Sequence, residues 1–161
     1  MDGQLQKAIN LREKGLLIES NSLLLELVSE CPDEALINYH CAWSYDALGE
    51  EAKAVPYYEK AIQLGLADKD LEGALLGLGS TYRTLGQYGN AKKTLLKAIE
   101  CFPNNKALQV FYAMTLYNLK QHHEAMELLL HCIAETSQDH NILDYKNAIE
   151  FYANKLDETW K

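Results

Sequence analysis

The sequence predicts an all-α protein, an α-solenoid of four stacked helix-turn-helix units closed by a C-terminal helix. Two observations carry this reading. A residue pattern recurs almost four times at spacings of 34, 37 and 34, and a period of this size with small residues at fixed points belongs to stacked helical pairs. Between the fixed points, apolar residues recur at intervals of three and four, the signature of one helix face.

The elements come in order. In the first unit, about 1–34, Ala8, Leu11, Gly15 and Ser20 stand 34 residues before Ala42, Tyr45, Gly49 and Ala54. The second unit, about 35–68, carries Pro56 near the start of its second helix, where a missing N–H is harmless only in the first turn. That helix is therefore expected to begin near Lys53, or to bend if it begins earlier. The three extra residues that lengthen one period lie in Gly65 to Asp70. There a longer connection is expected to adjust the stacking, with Asp68 or Asp70 as a cap.

The third unit, about 72–105, is the fullest copy. Leu75, Leu78, Tyr82 and Leu85 line one face of its first helix, and Gly86 stops it by taking the left-handed conformation, as Gly15 and Gly49 do in theirs. The second helix runs from about Tyr88 to Cys101 with Ala91, Leu95, Ala98 and Ile99 inward. Pro103, answered by Pro32, ends the unit, and Asn104 or Asn105 caps the next helix.

In the fourth unit, about 106–139, Ala113, Leu116 and Ala125 keep the pattern. Lys120 replaces the glycine, at a cost of about 1 kcal/mol if the left-handed turn is kept. His122 and His123 fall in the expected turn. A closing helix over about 141–158 would bury Ile142, Tyr145, Ile149, Tyr152 and Leu156, with Lys146, Asn147, Glu150 and Lys155 on the other side. That polar side lacks the basic excess of a membrane-surface helix. Trp160 either folds back or stays free.

The small residues have a packing purpose. Gly79 and Ala91 let two antiparallel helices approach, and Ala98 admits the following helix; larger side chains there would overpack, at roughly 1–3 kcal/mol each. No unit buries its apolar face alone, so stability comes from the stack.

Composition narrows the function. Of 161 residues, 48% are hydrophobic, and the formal charge is −8 with no basic cluster, which argues against nucleic acid. Met1 to Gly15 has no apolar leader core, and no run reaches the roughly 18 apolar residues of a membrane span; a cytoplasmic protein is expected. Cys31, Cys41, Cys101 and Cys132 form no CxxC pair. Cys41 and Cys132 take packing places within the repeat, where a thiol acts as a small hydrophobe. His40, His122, His123, His131 and His140 lack zinc spacing. No catalytic constellation, phosphate loop, cofactor motif or metal spacing appears, so no enzyme, cofactor or metal is expected.

Leu75-x-x-Leu78-Gly79-x-x-Tyr82, followed by Ala91-x-x-x-Leu95 and Pro103, resembles the tetratricopeptide repeat (TPR), with leucines in place of two of its aromatics. More narrowly, Cys41-Ala42-Trp43-Ser44-Tyr45 and the stretch from Gly77 to Gly86 resemble a group of small, uncharacterised bacterial proteins of this repeat class. The resemblance implies a right-handed superhelix of antiparallel helix pairs and a role in binding other proteins.

It also implies a concave groove lined by the first helix of each pair. Carried onto this chain, the groove would present Leu5, Ile9 and Arg12; Tyr39, Trp43 and Asp46; Leu76, Ser80 and Arg83; and Val110, Met114 and Tyr117. The helical period agrees, since Tyr39, Trp43 and Asp46 lie on a face distinct from Asn38, Cys41 and Tyr45. Aromatic anchors with an arginine suit a peptide carrying apolar residues and a carboxylate. Family members that clamp chaperone C-termini use lysine and asparagine where this chain has Leu5 and Ile9, which argues against that ligand. The expected function is a protein-interaction adaptor. Two alternatives stand beside it, a self-associating structural scaffold and a TPR-type secretion chaperone, and the closing helix or a second copy is a further candidate to fill the groove.

Overall fold

The computed structural model describes residues 2–160. Ten helices run through them: α1 Asp2–Glu13, α2 Leu17–Glu30, α3 Ala35–Ala47, α4 Glu51–Leu64, α5 Asp68–Thr84, α6 Tyr88–Cys101, α7 Lys106–Asn118, α8 His122–Thr136, α9 His140–Asp144 and α10 Lys146–Tyr152. Consecutive helices pack on one another from α1 to α8, and alternate helices meet as α1 with α3, α3 with α5 and α5 with α7. The result is an all-α solenoid of four helix pairs with two short helices at its end.

Each first helix ends in the same way. Glu50 N donates to Tyr45 O at 2.9 Å, Gln87 N to Tyr82 O at 2.8 Å, Gln121 N to Leu116 O at 2.9 Å and Leu16 N to Leu11 O at 2.9 Å, the six-to-one bond of a Schellman ending. Gly15, Gly49 and Gly86 supply the positive φ that this ending needs, at 78°, 73° and 74°. Lys120 takes φ 64° in the fourth copy, so the left-handed turn is kept without a glycine.

The small residues seat the helices as the period requires. Ala54, Ala61, Ala91 and Ala98 have no exposed surface, and a Cβ on Gly79 would fall 2.5 Å from Leu95 Cγ. In the first unit Ser20 stands in an alanine place and satisfies its hydroxyl by donating to Ala8 O at 2.7 Å. Asn105 caps α7 by accepting from Ala107 N and Leu108 N. Cys41 and Cys132 are buried, and burial pushes the Cys41 thiol up to about 12.

Several local expectations are corrected. The three extra residues lengthen α5 rather than its connection: α5 begins at Asp68 and spans 17 residues, because Leu71 and Ala74 extend its apolar stripe backwards into the core. Neither Asp68 nor Asp70 caps it. Ala67 holds that place with no side-chain bond, and both aspartates lie in the first turn, where they favour the helix dipole. α4 takes the earlier of the two starts expected, at Glu51, so Pro56 lies in its second turn and the carbonyl of exposed Ala52 lacks the N–H that residue 56 would ordinarily give it. His122 and His123 open α8 instead of sitting in the turn.

The closing segment departs most. Two helices separated at Tyr145 replace the single one expected over 141–158. The side turned inward is Ile142, Lys146, Ile149 and Ala153, while Tyr145, Tyr152 and Leu156 are exposed. Ala153 is small enough to be buried there, and the Lys146 ammonium lies 3.9 Å from Glu150 Oε1. Trp160 folds back, 5.3 Å from the ring of Tyr152 and 6.2 Å from that of Phe151.

Candidate functional site

Two hollows among the first helices hold most of the residues expected in the groove. The central one, about 420 Å³, lies between α3 and α5 and holds Tyr39, Trp43, Asp46, Leu76 and Ser80, with Phe111 of α7 at its edge. Its floor depends on two glycines one turn apart in α5. A Cβ on Gly73 would meet Tyr39 Oη at 2.3 Å, and one on Gly77 would meet Tyr58 Oη at 2.5 Å. Both tyrosines therefore lie flush against the α5 backbone and are buried.

Asp46 is occupied from within. Tyr58 Oη donates to its Oδ2 at 2.7 Å, and Thr81 Oγ1 lies 3.0 Å from each of its oxygens. Burial raises the Asp46 pKa against the lowering effect of these bonds, and burial together with Asp46 raises that of Tyr58. One carboxylate thus ties α3, α4 and α5 together. Tyr39 lines the hollow as its buried floor and joins the core beneath it, while Leu5 on α1 is a core residue.

At the α1 edge, the Arg12 guanidinium stacks over the Trp43 ring at 3.8 Å. Its Nη2 lies 3.4 Å from His40 Nδ1. Burial, then the Arg12 charge, pulls the His40 pKa down to about 4, so the imidazole is neutral near pH 7 and accepts from Arg12. Trp43 keeps 44% of its surface in solvent, and half-buried Ile9 packs against the Leu5 cluster.

The second hollow, about 430 Å³, lies at the other end of the stack and brings together Arg83, Met114 and Tyr117. Arg83 Nη1 donates weakly to Asn118 Oδ1 at 3.5 Å, and its buried Nε has no partner. His122 sets its ring 4.8 Å from Tyr117, edge to face. Met126 and Leu129 of α8 complete the wall. Val110 lines neither hollow. Eight of the expected groove residues thus line these two hollows, five in the central one and three in the other.

Sequence reasoning missed Gly73, Gly77 and Tyr58 at the central hollow, and His122, Met126 and Leu129 at the other. The pair of glycines four residues apart within an amphipathic helix was the available signal for the first group. For the second it was the contrast between Lys92 and Met126 at one repeat position. Both hollows are apolar with a few polar groups at the rim, a composition suited to binding side chains. Among the described residues no group of three His, Cys, Asp or Glu is arranged to hold a metal ion, and no helix is long and apolar enough to cross a membrane.

The family model described as a tetratrico peptide repeat matches residues 35–156. No curated protein matches the sequence. Among solved structures, the chain is similar to the nearly identical TPR-like repeats assigned to a kinesin light chain of Podosopora anserina, with TM-score 0.73 and 19% identity over 97% of this chain and 86% of that one. A point variant of those repeats aligns with TM-score 0.71 and 18% identity over 98% and 96% of the two chains. YrrB, a TPR protein with an unusual peptide-binding site, aligns with TM-score 0.65 and 17% identity over 97% and 91%. At such identities the likeness speaks for the fold alone.

Proposed function

The chain belongs to the tetratricopeptide repeat family, and from that membership we propose that it is a non-enzymatic interaction module holding a peptide or protein segment along the face of its first helices. The observation that carries the reading is the pair of apolar hollows on that face, each with an incompletely covered anchor: Trp43 in one, Met114 and Tyr117 in the other. Large side chains of this type dominate the energy of protein interfaces. At the central hollow Asp46 is engaged with Tyr58 and Thr81, and His40 with Arg12, a pattern that favours recognition over chemistry there. A cytoplasmic setting goes with this reading, since Cys41 and Cys132 serve as buried thiols.

Panning a random-peptide library against the folded chain and mapping the selected peptides by amide shifts tests it. Shifts gathered on α3, α5 and α7, lost in Trp43→Ala combined with Arg83→Ala while the helical spectrum stays, are the expected result. Shifts confined to α2, α4 and α6, or binding unchanged in the double variant, contradict the reading. Self-association is a second reading, favoured by the exposed Tyr145, Phe151, Tyr152, Leu156 and Trp160 near the end of the chain. Sedimentation across a concentration series separates the two.

A further inference from the structure

The outer face of the last helix pair differs from the faces beneath it. Leu24, Tyr58 and Leu95 hold one place in successive second helices and are 0%, 2% and 0% exposed, each sealed by the helices around it. Leu129 holds the same place in α8 and lines the open hollow of about 430 Å³. Around it, three polar residues of the third unit have apolar counterparts 34 residues on: Ser80 becomes Met114, Arg83 becomes Tyr117 and Lys92 becomes Met126. Lys92 Nζ donates to Gln121 Oε1 at 2.7 Å in the next unit, whereas Met126 is 46% exposed.

The last repeat of a solenoid ordinarily turns a polar face to water. Here the face is apolar where the next first helix would lie, and α9 and α10 leave it uncovered. α10 packs along α8, and no residue of either helix lines the hollow. At its mouth stands Arg83, whose buried Nε lacks an acceptor. Among the described residues no carboxylate pairs with it.

We infer that this slot takes an amphipathic helix of another protein, laid against α7 and α8 in the place of a fifth first helix and carrying an Asp or Glu for Arg83. The inference rests on the proposed interaction role and gives it a partner class. A helix fits because helices fill the corresponding slots between the earlier units, and an apolar stripe at i, i+4 and i+7 matches the wall. The two thioethers adapt to side chains of varied shape. A carboxylate is the partner a guanidinium receives with two parallel bonds.

The test is a calorimetric titration with a lactam-bridged helical peptide bearing leucines at i, i+4 and i+7 and one glutamate beside them. Met126→Lys, a side chain that the third unit already carries at this place, weakens binding about tenfold or more. Arg83→Gln, or Gln for the peptide's glutamate, weakens it about tenfold, and the two together weaken it no more than either alone. Trp43→Ala leaves it unchanged. Binding unaffected by Met126→Lys overturns the inference. Binding that follows Trp43 instead overturns the slot and leaves the interaction role standing, as does failure of this peptide where library peptides bind α3 and α5. A dimer of the free protein that Met126→Lys dissolves, or a Met126 methyl signal that Ile149→Glu moves in the free protein, would assign the slot to a second copy or to α10 and overturn the partner.

Discussion

Leu95 and Leu129 stand at one place of the repeat, 34 residues apart, and meet opposite surroundings. Leu95 is sealed between α5, α6 and α7, with Gly79 giving it room; Leu129 faces a hollow. The side chain is the same, so the difference lies in the next element of the chain: a full first helix after α6, but after α8 two short helices of which α10 packs on it. A residue's place in the repeat sets where it points, and its place in the stack sets what it is worth.

The largest effect should come from breaking that pair. Leu95→Ala should cost about 2–5 kcal/mol, the range for a fully buried leucine, and Leu129→Ala about 1 kcal/mol or less, since solvent already reaches the site. Urea unfolding of both variants measures this. Equal losses would mean that Leu129 is covered after all.

The second unit carries a buried imidazole. His40 has a folded pKa of about 4 against an unfolded value near 6.5. Below pH 6.5 the unfolded chain takes up a proton that the folded chain refuses until about pH 4, so stability is whole above this window and falls as pH drops through it. The loss approaches about 3 kcal/mol. Asp46, raised by burial, pulls in the opposite sense at the acidic end. The measure is therefore the difference in pH slope between wild type and His40→Gln, and equal slopes would mean that His40 is not sealed.

The smallest effect is at the turn leading into the open end. Lys120→Gly should stabilise by about 0.5–1 kcal/mol, because φ 64° strains a side chain and not a glycine. Gly86→Lys, at φ 74° in the sealed unit, should cost a similar amount. A loss of stability in Lys120→Gly would mean that the turn is held by contacts of the lysine stem.

Local rules made most of the stack legible in the sequence. The stops at Gly15, Gly49 and Gly86 and the Asn105 cap follow from residues within one turn of each other, and the buried alanines from their recurrence along the repeat. Tyr39 escaped this logic, because its burial is made possible by Gly73, 34 residues away. The closing helices escaped it because no other copy calibrates their phase, and small Ala153 rather than Tyr152 meets the stack. The first-helix residues of the candidate site, Trp43, Leu76, Ser80, Arg83, Met114 and Tyr117, could be named from the helical period and the resemblance. The α8 wall could not, since it is open only because α10 leaves it so.

The most direct test of an open slot beside a sealed core is the methyl spectrum of methionine-labelled protein in the presence of a soluble paramagnetic agent. Met114 and Met126 both line the hollow, and assignment through Met→Leu variants identifies their signals. Strong attenuation of both is the predicted result; signals protected like those of a buried core would contradict the account.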